Sequence, residues 1–194
     1  SMQGSLRTRL WITVVATATL CLAALAGGGP SAAAAPAAKP GIITSAGQSS
    51  DAVMVNVLAN TQLKLGLDFD PLVQAESLAG YRTLVVVVGA SAKGLGAAGI
   101  NEEQEMARVT ALLEQAKAQD AFVLLMHVGG TARRGPSSNP LIEAVAAYAD
   151  AMIVVRSGNE DGFFTQLAQE YGIPLTEVER IVDAREPLRR LFGA

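Results

Sequence analysis

From residue 39 onward this chain has no cysteine; the one it contains, Cys21, lies within an apolar run near the N-terminus. That absence excludes disulfides, thiol catalysis and cysteine-built zinc sites from most of the chain. Histidine is nearly as scarce. His127 stands alone, so a metal site needing two histidines is excluded and no metal site is expected. Basic charge is thin too: 15 lysines and arginines face 18 acids, a net charge of -3. Neither basic residue is concentrated into the face that nucleic-acid binders show, so nucleic acid is not an expected partner.

What is present is apolar. Half the residues are hydrophobic and 17% are charged, which supports a sizeable core and argues against global disorder. A length of 194 residues suits one domain.

The first 38 residues read separately. Arg7 and Arg9 precede the apolar run LWITVVATATLCLAALA, and the small-residue stretch GGGPSAAAAPAA follows. A positive n-region, an apolar h-region and A-x-A sites form a signal-peptide pattern, with cleavage expected after Ala26 or near Ala35. The run also reaches the lower limit of a membrane span, about 17 residues, so an uncleaved anchor fits as well. Cys21 offers a lipoprotein as a third reading, although ATL before it lacks the expected small residue. Residues 1–38 are thus a leader and an Ala/Pro/Gly-rich linker, and 39–194 a single domain. That domain keeps 13 basic and 18 acidic residues, since the leader removes only its two arginines. An extracytoplasmic location, periplasmic or secreted, is the expectation.

Beyond the linker, strand and helix patterns alternate. Strands are expected at 41–44, 83–89, 121–128 and 151–156, with 63–70 extended and 173–178 an edge strand. TLVVVVG (83–89) is a continuous β-branched run of the kind buried on both faces. Helices are expected at 49–61, 73–81, 101–119, 139–149, 163–172 and 186–192. The clearest is 101–119, with Asn101 as N-cap, acids in its first turn, and an apolar stripe through Met106, Val109, Leu112 and Leu113. Such alternation predicts an α/β domain with a doubly wound, mainly parallel sheet of five to six strands and helices on both faces, flavodoxin-like or Rossmann-like.

Ligands of such sheets bind at the carboxyl ends of the strands. The loops delivered there are SAGQSSD (45–51), GASAKGLGAAG (89–99), HVGGTARRG (127–135) and RSGNEDG (156–162). Each contains glycine, which lets backbone N–H groups approach a ligand, and together they carry four cations suited to a carboxylate or phosphate. The candidate contacts are Ser45, Gly47, Gln48 and Ser49, then Ser91, Lys93 and Gly94. His127, Gly129, Gly130, Arg133 and Arg134 follow, with Arg156 from the last loop. The plain alternative is that Arg133 and Arg134 are solvated or pair with Asp51, Asp161 or Glu160.

Several motifs fall away on inspection. GLGAAG (94–99) matches G-x-G-x-x-G, but the next helix opens with Glu102, Glu103 and Glu105, which would repel a pyrophosphate, and His127 stands where an acid is expected. No G-K-[ST] follows the glycines, so a Walker A loop is excluded, and no cofactor is expected. Ser91, with His127 as base and Asp51 or Asp161 as orienting acid, suggests a hydrolase or transferase. GASAKG, however, carries one residue too many for a nucleophile elbow. DFDP (68–71) offers two carboxylates, yet Asp-Pro more simply marks a turn, and Asp161-Gly162 before Phe163 and Phe164 marks a helix start.

The stretches SAGQSSDA, VVGASAKGLGAAG, HVGGTARRG and EDGFFT together resemble an uncharacterised bacterial family of small secreted proteins that carry a domain of unknown function. The resemblance runs from Gly41 to Phe192, and Lys93, His127, Arg133 and Arg134 match its motif. It implies secretion and a site in the strand-end loops, and no reaction. The residues themselves point to a module that binds a small anionic metabolite, serving a membrane transporter or sensor. A hydrolase or transferase using Ser91 and His127, and a structural or partner-binding domain with no small ligand, are the alternatives.

Overall fold

The structure, a computed structural model, describes residues 36–194, so the expected leader and most of the expected linker lie outside the described residues. Six strands form one all-parallel sheet: β1 (Gly41–Ala46), β2 (Asp68–Phe69), β3 (Thr83–Val88), β4 (Phe122–His127), β5 (Ala151–Val155) and β6 (Leu175–Val178). Their order is β2-β1-β3-β4-β5-β6. The three strands expected at the centre lie there side by side, with Val85 opposite Leu124 and Leu125 opposite Met152.

The apolar runs explain that placement. Every residue of β1, β3 and β5 is buried, because side chains alternate between two covered faces. One face, through Ile42, Leu84, Val86, Leu125 and Val154, packs under α3 (Glu102–Ala118), α4 (Asn139–Ala146) and α5 (Phe163–Tyr171). The other, through Ile43, Val85, Leu124, Met126 and Ile153, packs under α1 (Asp51–Asn56) and α6 (Arg185–Leu191). The helix α1 continues through a π-helical stretch at Val57–Gln62. The long helix α3 starts in a full capping box: Asn101 Oδ1 accepts from the Gln104 N–H, and Gln104 Oε1 accepts from the Asn101 N–H.

Three local expectations change. The extended stretch 63–70 yields only the two-residue strand β2, and 73–81 only a 3-10 turn at Ala75–Ser77. The third change matters more. AKGLGAA, read as a loop, is the helix α2 (Ala92–Ala98). Ser91 caps it by accepting from the Gly94 N–H, Leu95 anchors it in the core, and Gly99 closes it at φ 71°. Gly94 is bare for a reason outside the helix: a Cβ there would stand 1.8 Å from the Gln48 carbonyl oxygen. The G-x-G-x-x-G match is therefore mostly helix interior, not a phosphate loop.

Candidate functional site at the carboxyl edge of the sheet

In this strand order the chain leaves β1 toward β2 on one side and β3 on the other, and a parallel sheet opens its ligand crevice at that switch. Here the two loops are joined instead. The Gly89 N–H donates to the Ala46 carbonyl, the Ser49 N–H to that of Gly89, and the Ser91 N–H to that of Gly47. Gln48 and Ala90 form an antiparallel bridge. Gly47 (φ 106°) and Gln48 (φ 61°) take left-handed backbone to allow it, and a Cβ on Gly47 would fall 2.4 Å from the Gly89 oxygen.

A buried ion pair that sequence reading missed holds this turn from beneath. Glu105 and Arg108 are one helical turn apart on α3, both buried, and bonded at 2.8 and 2.9 Å. Glu105 Oε1 also accepts from the Gly47 N–H and from Gln48 Nε2, each at 2.9 Å. Arg108 donates to the carbonyls of Val73 and Ser45. Burial pushes the Glu105 carboxyl up, but the bonds from Arg108, Gly47 and Gln48 outweigh it and hold the acid below its ordinary range. A signal for it existed: both charges lie among the inward positions of the stripe that holds Val109 and Leu112.

The predicted cations do not converge. Arg134 is spent on structure: it pairs bidentately with Asp161 at 2.9 and 3.0 Å, donates to the Gly158 carbonyl and to Asn139 Oδ1, and lies over the Phe163 ring. The Arg134 bond holds Asp161 down to about 2. Arg156 pairs with Glu179 on the exposed surface. Lys93 is exposed on the first turn of α2. Both placements for Arg134 and Arg156 correct the expectation of one four-cation cleft; the acids that neutralise them arrive on the same edge.

His127 is fully buried at the end of β4. Its Nε2 donates to the Arg133 carbonyl at 2.9 Å, which leaves Nδ1 as a lone pair with no partner among the described residues. The ring packs on Phe164, and a Cβ on Gly158 would stand 2.8 Å from Nδ1. Burial pushes the imidazole below its ordinary value. No hydrogen bond joins His127 to Ser91, whose hydroxyl caps α2. The Ser91/His127 catalytic pair is thus not assembled, and His127 serves to pin the backbone of Arg133.

Arg133 remains. Its Nη1 donates to the Ala90 carbonyl at 3.2 Å, and its Nε stands 3.8 Å from Asp51 Oδ2, at the start of α1. The side chain is 30% exposed. It lies so close over the strand ends that a Cβ on Gly129 would be 2.1 Å from its Cγ; the buried Ser49 Oγ adjoins Gly89 and accepts from the Asp51 N–H. Gly130 is bare for Ser157 in the same way. The glycines of these loops therefore answer to close packing. Ser45 turns inward, accepting from the Gln48 N–H.

A hollow of about 170 Å³ opens beside Arg134, Thr131 and Glu160, while a larger one of about 550 Å³ lies at the opposite edge, around Lys117, Tyr148 and Tyr171. Among the described residues no cluster of three metal-ligating side chains occurs. None of their helices is long and apolar enough to cross a membrane.

The strand-end loops, together with the sheet that carries them, match one family model across residues 38–192, the domain of unknown function DUF6305. The chain belongs to that family. Of the solved structures, the DUF6305 domain is similar to a psychrotrophic esterase, EstA, from Pseudoalteromonas sp., inhibited by monoethylphosphonate. The identity is 11%, the TM-score 0.30, and the match covers 72% of this chain and 78% of that one. A likeness that low carries no argument about chemistry. No curated protein matches the chain.

Proposed function

We propose that the DUF6305 domain binds a small anionic ligand, a carboxylate or phosphate ester, at the carboxyl edge of its sheet, with Arg133 as the group that holds the anion. One observation carries this reading: a part-exposed guanidinium, fixed by its backbone to His127, has a single hydrogen bond, to Ala90, among the described residues. Arginine presents a planar fork of donors, and the rest of Arg133's are uncommitted. Lys93, three residues beyond Ala90, adds a second exposed cation to the rim.

The module works outside the cytoplasm and serves a transporter or a sensor. Support for export comes from the sequence, namely Arg7, Arg9 and the apolar run behind them, all outside the described residues. Protein expressed with its own leader should show a mature N-terminus between Gly27 and Lys39 by mass spectrometry; an intact leader in the membrane fraction would favour an anchor.

The binding test is a thermal-shift screen of small carboxylates, amino acids and phosphate esters, followed by titration of each hit. The charge-assisted bonding lost with Arg133 is worth roughly 1.5–3 kcal/mol, the value of one such bond. Arg133→Ala should therefore weaken a hit by about 10- to 100-fold, since about 1.4 kcal/mol is tenfold. A variant that binds as tightly as the parent overturns the reading.

A further inference from the structure

Asp51 is the part of this site that anion binding by Arg133 leaves unused. It is 7% exposed, and its Oδ2 has no hydrogen-bond partner among the described residues. Arg133 Nε, at 3.8 Å, is beyond hydrogen-bond range. A carboxylate oxygen taken from water without a replacement donor is costly, so an orphan of this kind calls for an explanation. The strand ends are kept clear for it: a Cβ would stand 3.2 Å from this oxygen at Gly89 and 2.5 Å at Gly129.

The acid also limits what Arg133 can hold. A carboxylate so near a guanidinium cancels much of its field a few ångströms away, so a plain anion meets both charges. A ligand that brings a cationic donor beside its anionic group satisfies both.

We infer that the site takes a zwitterion: Arg133 holds the carboxylate of an α-amino acid, and Asp51 accepts from its ammonium group. The inference rests on the anion reading of Arg133 and adds the second pole. An α-nitrogen and its carboxyl carbon stand about 2.5 Å apart by ordinary bond lengths, so one small molecule can reach both groups, which stand 3.8 Å apart in the free protein and separate as it enters. Arg133 covers Asp51 in the free protein, so binding swings its guanidinium outward and releases the Ala90 carbonyl. The reach needed is that of one flexible side chain, with the backbone held by His127.

The test is calorimetric titration of the full chain with matched pairs: glycine and acetate, L-alanine and propionate, L-glutamate and glutarate. At least one amino acid should bind about tenfold or more tightly than its deamino partner. Asp51→Asn should abolish that preference and leave the deamino acid's affinity undiminished, whereas Arg133→Ala should weaken both members of the pair. Should Asp51→Asn fail to fold, Asp51→Ser takes its place. Equal binding of the two members, persistence of the preference in the Asp51 variant, or no binding of any amino acid at millimolar concentration overturns the inference. The anion reading fails separately, if Arg133→Ala leaves the binding of both members unchanged.

Discussion

Two carboxylate–arginine pairs press on the turn that follows β1, and they are built differently. Glu105 and Arg108 are both buried, and their bonds to each other, to Gly47, Gln48, Val73 and Ser45 satisfy both carboxylate oxygens and all three guanidinium nitrogens. Asp51 and Arg133 touch only at 3.8 Å, with one carboxylate oxygen unpartnered among the described residues and the guanidinium part-exposed. The first pair is closed and shapes the backbone. The second is open, and an open pair at a strand end is where a ligand can still add bonds.

Removing one member of the closed pair should have the largest effect. Glu105→Ala leaves Arg108 buried without its counter-charge and strips the partner from the Gly47 N–H, which should cost about 3–5 kcal/mol in denaturant unfolding. A loss under about 1 kcal/mol would erase the contrast between the pairs.

Next comes Arg134→Ala. It removes the bidentate bond to Asp161, the bond to Gly158 and the stacking on Phe163, so a loss of about 1–3 kcal/mol is expected. The exposure of Asp161, 62%, keeps the expected value toward the lower end.

Acid should act in two stages. Burial holds the folded imidazole of His127 below its ordinary 6.5, so the unfolded chain takes up the proton first and stability falls as pH drops below 6.5. His127→Gln should flatten that part of the profile. Asp161 acts lower down. Its pair with Arg134 contributes above the ordinary 3.8 and is lost as pH falls from there toward about 2. Thermal midpoints measured across pH in both proteins check the assignment.

The smallest effect on folding belongs to Arg133→Ala, within about 0.5–1 kcal/mol, because it removes one long hydrogen bond, a 3.8 Å contact and the packing of a part-exposed side chain over the strand ends. A larger loss would move Arg133 into the structural class with Arg108.

Much of the fold was legible because the strands are continuous apolar runs that admit only a two-sided cover, as in Thr83–Val88. The helix α2 was hidden by its two glycines. It forms because Ser91 caps it and because Gly94 fits against the Gln48 carbonyl, a contact between segments 46 residues apart that local propensity does not encode. The edge that carries the cations was also readable, but not which cation stays open. Arg133 and Arg134 are neighbours in sequence. Only the tertiary arrangement sets one against Asp161, 27 residues on, and the other over the strand ends beside Asp51. Glu105 passed as one more acid in a helix's first turn, when its place among inward residues marked it as buried.

The N–H of Ala37 donates to the carbonyl of Leu191, so the two ends of the folded domain meet. They meet at the amino edge of the sheet, where Pro36 borders the starts of β4 and β5, across the strands from Arg133. An affinity tag, a fluorescent fusion or a surface tether joined directly before Pro36 or after Ala194 therefore leaves the far rim unobstructed. Because the ends are neighbours, joining them through a short bridge and reopening the chain at an exposed turn would preserve every strand pairing, making the domain suitable for circular permutation.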